Sequence, residues 1–198
     1  MSLRGILIIS LGNPGAYRNT YHSAGHVVLE ALQHQLGRDQ PPFAPSRIGR
    51  QPTLASVGPR YALLQSPAVM NVSGPWVAKA YREHLAERGA APSELGLVLV
   101  HDDLEEELGV VKIRDWKRSH RGHNGVKSVN GALQRPGGES RWARVSVGIG
   151  RPEGRDKAVV SDFVLSKISG QARGVLQGVG ARGVCKALME LEGQWAGE

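Results

Sequence analysis

Asn13, His22, Asn71, Asp102 and Asn124 lie in five short strings, GNPG, TYHS, MNVSG, VHDD and GHNG, each at the edge of a predicted strand or helix. Together they offer one imidazole, one carboxylate and three carboxamides to a single pocket. A neutral histidine can take a proton from water when a carboxylate holds its other nitrogen, because the carboxylate selects the tautomer and stabilises the charged ring. Carboxamide N–H groups can then donate to an oxyanion or orient a substrate carbonyl. The mixture suits a water-activating hydrolase better than a metal site, and no metal or organic cofactor is expected.

Each residue also has a plain structural use. Gly12-Asn13-Pro14-Gly15 can be a tight turn, and a histidine just ahead of a helix can bond backbone groups. The loop lacks both GxGxxG and GxxxxGK[ST], which argues against a nucleotide cofactor. Asp102 ends an apolar run, which separates it from the acidic residues Asp103, Glu105, Glu106 and Glu107. Those four read as a solvated run, with Asp103 as the remaining alternative partner for a histidine.

The elements that must position these groups follow from periodicity. Residues 5–11 are a near-continuous apolar run and read as a central strand covered on both faces. Ser23 is expected to cap a helix whose apolar positions Ala24, Val27, Val28, Ala31, Leu32 and Leu36 recur at helical spacing, ending near Gly37. The proline-rich stretch 39–52 reads as a surface loop, and 53–57 with 60–65 as a hairpin about Gly58-Pro59. Ser73 starts a second helix, closed by Gly89 and Pro92. A buried strand at 97–100 delivers His101 and Asp102 at its C-terminal end, where open α/β sheets hold ligands. Strands at 110–114 and 143–149, a short helix at 125–133 and a C-terminal helix over 168–192, weakened by its glycines, complete the reading. The fold class is α/β: one domain over 1–198, an α/β/α sandwich around a twisted mixed sheet.

Composition narrows the partners. A chain of 198 residues with a formal charge of +7 favours an anionic partner such as a nucleic acid. Cys185 is the single cysteine, which excludes an intrachain disulfide and a multi-cysteine zinc site and suits a reducing intracellular compartment. No apolar stretch approaches the roughly 20 residues of a membrane span.

In family terms, GNPG with Tyr17 and Thr20-Tyr21-His22, MNVSG at 70–74, His101-Asp102, GHNG at 122–125 and VGIGRP at 147–152 resemble the bacterial-type peptidyl-tRNA hydrolases, in that family's order. The resemblance implies a monomeric, metal-independent α/β hydrolase. Such an enzyme cleaves the ester joining a peptide to the 3′ end of tRNA, recycling the tRNA in the cytoplasm or, alternatively, the mitochondrial matrix. It implies that His22 is the catalytic base, Asp102 its support and Asn13 a further catalytic group, with Tyr17, Asn71 and Asn124 on the substrate. The chain departs from the family pattern at Ser23 and at Ser146, where an asparagine and a second basic residue are common.

Lys112, Arg114, Lys117, Arg118, His120 and Arg121 form the clearest basic cluster. Arg114, Lys117 and Arg118 are the expected phosphate contacts, orienting RNA without reading its sequence. Trp116 can stack a terminal base or pack against the domain. The alternative function is a catalytically inactive tRNA-binding or RNA-binding protein of the same fold. A serine esterase lacks its GxSxG elbow here.

Overall fold

The computed structural model describes residues 3–133, 141–154 and 156–196. Its centre is β1 (Gly5–Ser10), every residue of which is buried. Alternation along the strand sends Ile6 and Ile8 into one core and Leu7 and Ile9 into the other, so both faces of the strand are covered. Each such fully buried aliphatic side chain contributes about 1.5–3 kcal/mol relative to exposure, which makes β1 the anchor of the fold.

Among the described residues seven strands form one sheet in the order β2, β3, β4, β1, β5, β7, β6. The remaining strands are β2 (Ala44–Ile48), β3 (Gln51–Val57), β4 (Tyr61–Gln65), β5 (Leu95–Asp103), β6 (Val111–Asp115) and β7 (Trp142–Gly148). β4, β1, β5 and β7 run parallel, with Ile8 opposite both Leu63 and Val98. Their C-terminal ends therefore open on the same edge. β6 lies antiparallel to β7 at one border, and β2 and β3 turn back antiparallel at the other.

Helices α1 (Ala24–Gln35) and α6 (Ala181–Ala196) share the core of Ile6 and Ile8, whereas α2 (Ser73–Arg88) shares that of Leu7 and Ile9 with α3 (Asn124–Ala132). Two further helices, α4 (Lys157–Leu165) and α5 (Gly170–Val175), follow β7. The result is the expected α/β fold with a mixed sheet.

Several local expectations change. Residues 44–48 are a strand and not loop: Pro45 sits on the outermost strand, where its missing N–H is tolerated. The C-terminal helix is interrupted, with a π-helical turn at Leu176–Gly180 between α5 and α6 where glycines cluster. Ser23 precedes α1 but makes no cap bond, because its hydroxyl serves the neighbouring loops. The acidic run is not free: Glu106 pairs with Lys112 and Arg114, and Glu105 with Arg151.

Candidate active site

The C-terminal end of β1 runs directly into Gly12 and Asn13. A Cβ on Gly12 would lie 2.4 Å from the His26 ring of α1, so only glycine lets the chain pass there. His26 is held by the Ser10 hydroxyl, 2.7 Å from its Nδ1, and burial pushes its pKa down to about 3, keeping it neutral. Asn13 then ties three loops together. Its backbone N–H donates to Ser23 Oγ at 2.9 Å, Ser23 Oγ donates to the Tyr17 carbonyl at 2.8 Å, and Asn13 Oδ1 accepts from the Met70 N–H at 2.9 Å. With Oδ1 occupied, the free end of the Asn13 carboxamide is its NH2, a donor.

His22 stands on the helical turn Tyr21–Ser23 between that loop and α1. Its Nδ1 is 3.0 Å from each oxygen of Asp102, near the end of β5. His123 approaches the same carboxylate with Nε2 at 2.9 Å from Oδ1. The tautomers follow: His123 Nδ1 accepts the Val126 N–H at the start of α3, so Nε2 carries the proton and donates to Asp102. His22 donates its Nδ1–H to the ionised carboxylate, which leaves Nε2 as the basic nitrogen.

The electrostatics agree. Burial opposes ionisation of Asp102, but His22 and His123 outweigh it and hold the carboxyl well below its usual range. Burial likewise opposes charging of His22, yet the Asp102 carboxylate raises its pKa above the ordinary 6.5. His101, whose Nδ1 lies 2.7 Å from the Asp102 carbonyl, is pushed down to about 3, chiefly by burial. Three histidines thus share one corner, and only His22 combines access to the cleft with a carboxylate-supported basic nitrogen. His22, Asp102 and His123 also bring ligand atoms within 4.8 Å of one another, close enough to hold a metal ion. Such an ion would first have to displace the protons that both imidazoles give to Asp102.

A cleft of about 710 Å³ opens above the pair. Asn13, Tyr17, Asn71, Asn124, Arg114 and Arg118 all line it, and Lys117 lies exposed on the adjoining turn. Asn71 begins the approach to α2, and Asn124 is the first residue of α3; both are exposed. Arg114 departs from the expected free phosphate contact. It is buried, and its guanidinium reaches Asp103 at 3.1 Å, Glu106 at 2.5 Å and Ser146 Oγ at 3.1 Å. Trp116 packs inward, its ring centroid 5.1 Å from that of Trp142, and is not available to stack a base.

Two parts of the site escaped the sequence. His123 was present in GHNG, but only the fold shows it facing Asp102. α4 supplies Val160, Val164 and Leu165 as an apolar wall, and Phe163 stacks on Tyr21 with centroids 4.9 Å apart, bracing the turn that carries His22. Asp156 before the apolar positions Val159, Val160, Phe163 and Val164 was the available signal for that helix.

A mixed-sheet α/β fold with an imidazole–carboxylate pair in a cleft at the C-terminal edge defines a protein equipped for acid–base chemistry on a bound substrate. Comparison with known proteins makes the class specific. The family model described as Peptidyl-tRNA hydrolase matches residues 7–194. The peptidyl-tRNA hydrolase of Kineococcus radiotolerans is 38% identical over 173 residues, covering 82% of this chain and 79% of the relative. That of Geobacter sulfurreducens is 37% identical over 164 residues, covering 82% and 77%. A solved peptidyl-tRNA hydrolase from Acinetobacter baumannii superposes with a TM-score of 0.68 at 23% identity, covering 99% of this chain and 96% of that one, and shows a shared fold. The chain belongs to the peptidyl-tRNA hydrolase family.

Proposed function

We propose that the cleft hydrolyses the ester between a peptide and the 3′ end of tRNA, with His22 as general base. The observation that carries this reading is the His22 Nδ1 contact of 3.0 Å to both Asp102 oxygens, beside a cleft roomy enough for the reacting ester. His22 Nε2 takes a proton from water as its oxygen attacks the ester carbonyl carbon. Asp102 stabilises the imidazolium that forms. The tetrahedral intermediate collapses with cleavage of the bond to the 3′-oxygen, which His22 reprotonates, giving a free peptide carboxylate and a 3′-hydroxyl on the tRNA. The Asn13 NH2 is our candidate oxyanion donor, with Asn71, Asn124 and Tyr17 holding the substrate. His123 shares Asp102 and keeps the carboxylate fixed between two N–H donors.

Lys117 and Arg118, exposed beside the cleft, are the proposed RNA contacts, while Arg114 supports them from within its ion-pair cluster. Among the described residues no helix is long and apolar enough to cross a membrane. The lone Cys185 and the tRNA substrate favour a reducing compartment in which translation occurs, the cytoplasm being our reading.

The test is direct. Purified protein is incubated with N-blocked aminoacyl-tRNA in chelator and the products are separated. Release of the blocked amino acid supports the scheme, whereas an intact ester with retained tRNA binding would favour a non-catalytic RNA-binding protein.

A further inference from the structure

Arg114 and Arg144 sit opposite each other in the register of β6 and β7, yet their charges are met in different ways. Arg114 has two carboxylates. Arg144, only 2% exposed, lines the cleft and forms no ion pair among the described residues. Its Nη2 donates to the backbone carbonyls of Asp115 at 3.1 Å and Arg118 at 2.5 Å, while its Nε has no partner. With its hydrogen bonds going to two backbone carbonyls and none to a carboxylate, this guanidinium is placed to hold the chain at 115 and 118 and not to form an ion pair.

The two carbonyls it holds bracket the turn that carries the basic residues into solvent. The turn is fastened at other points too. Trp116 is buried, Asp115 Oδ1 accepts the Lys117 N–H at 2.7 Å, and Ser119 Oγ accepts the Arg121 N–H at 3.2 Å. Arg121 itself sits at φ 46°, the one non-glycine residue with positive φ among those described. An L-residue disfavours this conformation, so the surrounding bonds must impose it. Arg118 and Arg121, both exposed, line the same cleft as His22.

We infer that Arg144 is a positioning residue for an RNA-backbone grip: by holding the 115–118 turn from beneath, it fixes Arg118 and Arg121 against phosphates adjoining the scissile ester. This rests on the peptidyl-tRNA reading above and names how that substrate's RNA is held. The occupant is the single-stranded 3′ end of the tRNA. One continuous cleft joins His22 to Arg121, so the ester and the phosphates of the same molecule are accommodated together. The grip acts on phosphates alone, and it therefore leaves the chemistry at His22 untouched.

Two substrates separate grip from chemistry: N-blocked aminoacyl-tRNA, and an N-blocked aminoacyl ester of adenosine, which keeps the ester but has no phosphate. Arg144→Lys and the double variant Arg118→Gln with Arg121→Gln are compared with wild type, and affinity for deacylated tRNA is titrated against salt in parallel. Both variants are expected to raise KM for the tRNA substrate about tenfold, with kcat and hydrolysis of the adenosine ester unchanged. Affinity for deacylated tRNA should fall by a similar factor, and its salt dependence should flatten. Flattening by Arg144→Lys is the decisive readout, because that variant keeps every charge and alters only what holds the turn. Should Arg144→Lys not fold, Arg144→Gln is read by the same KM, affinity and salt-slope criteria. Equal losses on both substrates, or unchanged tRNA affinity and salt slope, would overturn the inference. If wild type cleaved neither ester, the functional reading would fall, while the tRNA titrations would still decide the grip.

Discussion

Asp102 and Asp103 are neighbours on β5, and strand alternation sends their side chains to opposite faces of the sheet. Asp102 gathers His22 and His123; Asp103 gathers Arg114 and the Glu105 N–H. Both carboxyls are held below their usual pKa against the effect of burial, one by histidines and the other by the Glu105 N–H and Arg114. The consequences differ because the partners differ. An imidazole paired with a carboxylate remains able to gain and lose a proton near neutral pH, whereas a guanidinium stays charged throughout. In the proposed scheme one carboxylate thus helps make a base, and the other makes a fixed strut beneath the basic rim of the cleft.

The contrast can be broken from either side. The largest effect belongs to the base itself: His22→Ala should lower kcat by about 100- to 10,000-fold while leaving affinity for deacylated tRNA intact, as single-turnover assays and binding titrations would reveal. Near-normal turnover in a clean preparation would remove His22 from the scheme. Asp102→Asn should act on the same step, reducing kcat at least about tenfold, since the neutral amide no longer stabilises the imidazolium.

Asp103→Asn should do the opposite, with kcat near that of wild type and stability lower by on the order of 1–3 kcal/mol in urea denaturation, through the weakened bond to Arg114. Because the folded-state pKa of Asp103 is depressed, its contribution is present above the unfolded carboxyl pKa and is lost as pH falls through the folded value. The stability gap to the variant should accordingly close in acid. A large loss of kcat in Asp103→Asn would erase the division of labour. The smallest effect is expected from Lys117→Ala, a two- to threefold rise in KM by order of magnitude, with a salt slope smaller by about 0.7 if a single-strand phosphate contact is lost.

Parts of this arrangement are legible in the chain. The run from Gly5 to Leu11 announces a doubly covered central strand, and its end points to Asn13; the apolar stretch before His101 favours Asp102 while leaving Asp103 as an alternative. Where one-dimensional signals failed, the cause was tertiary. Nothing local says that Arg114 meets Asp103 and Glu106, because that pairing is created by the fold of β5, β6 and the loop between them. The Ser23 hydroxyl was expected at a helix cap but is drawn to Asn13 and Tyr17, which local capping preference cannot anticipate. Pro45 argued for loop when only its place on the border strand makes strand geometry acceptable. α4 carries a local signal in Asp156 and the valines that follow, but nothing in that signal shows that the helix forms the apolar wall of the cleft.

The coupling of His22 to Asp102 is tested most directly by the pH dependence of kcat for N-blocked aminoacyl-tRNA, measured for wild type and Asp102→Asn. A general base must be neutral, so activity falls as pH drops through the His22 pKa, which Asp102 raises above 6.5. The wild-type acid limb is expected above 6.5 and should move to lower pH in Asp102→Asn, where burial acts without the carboxylate to oppose it, while the plateau rate also drops. An acid limb at the same pH in both proteins would show that Asp102 does not set the basicity of His22.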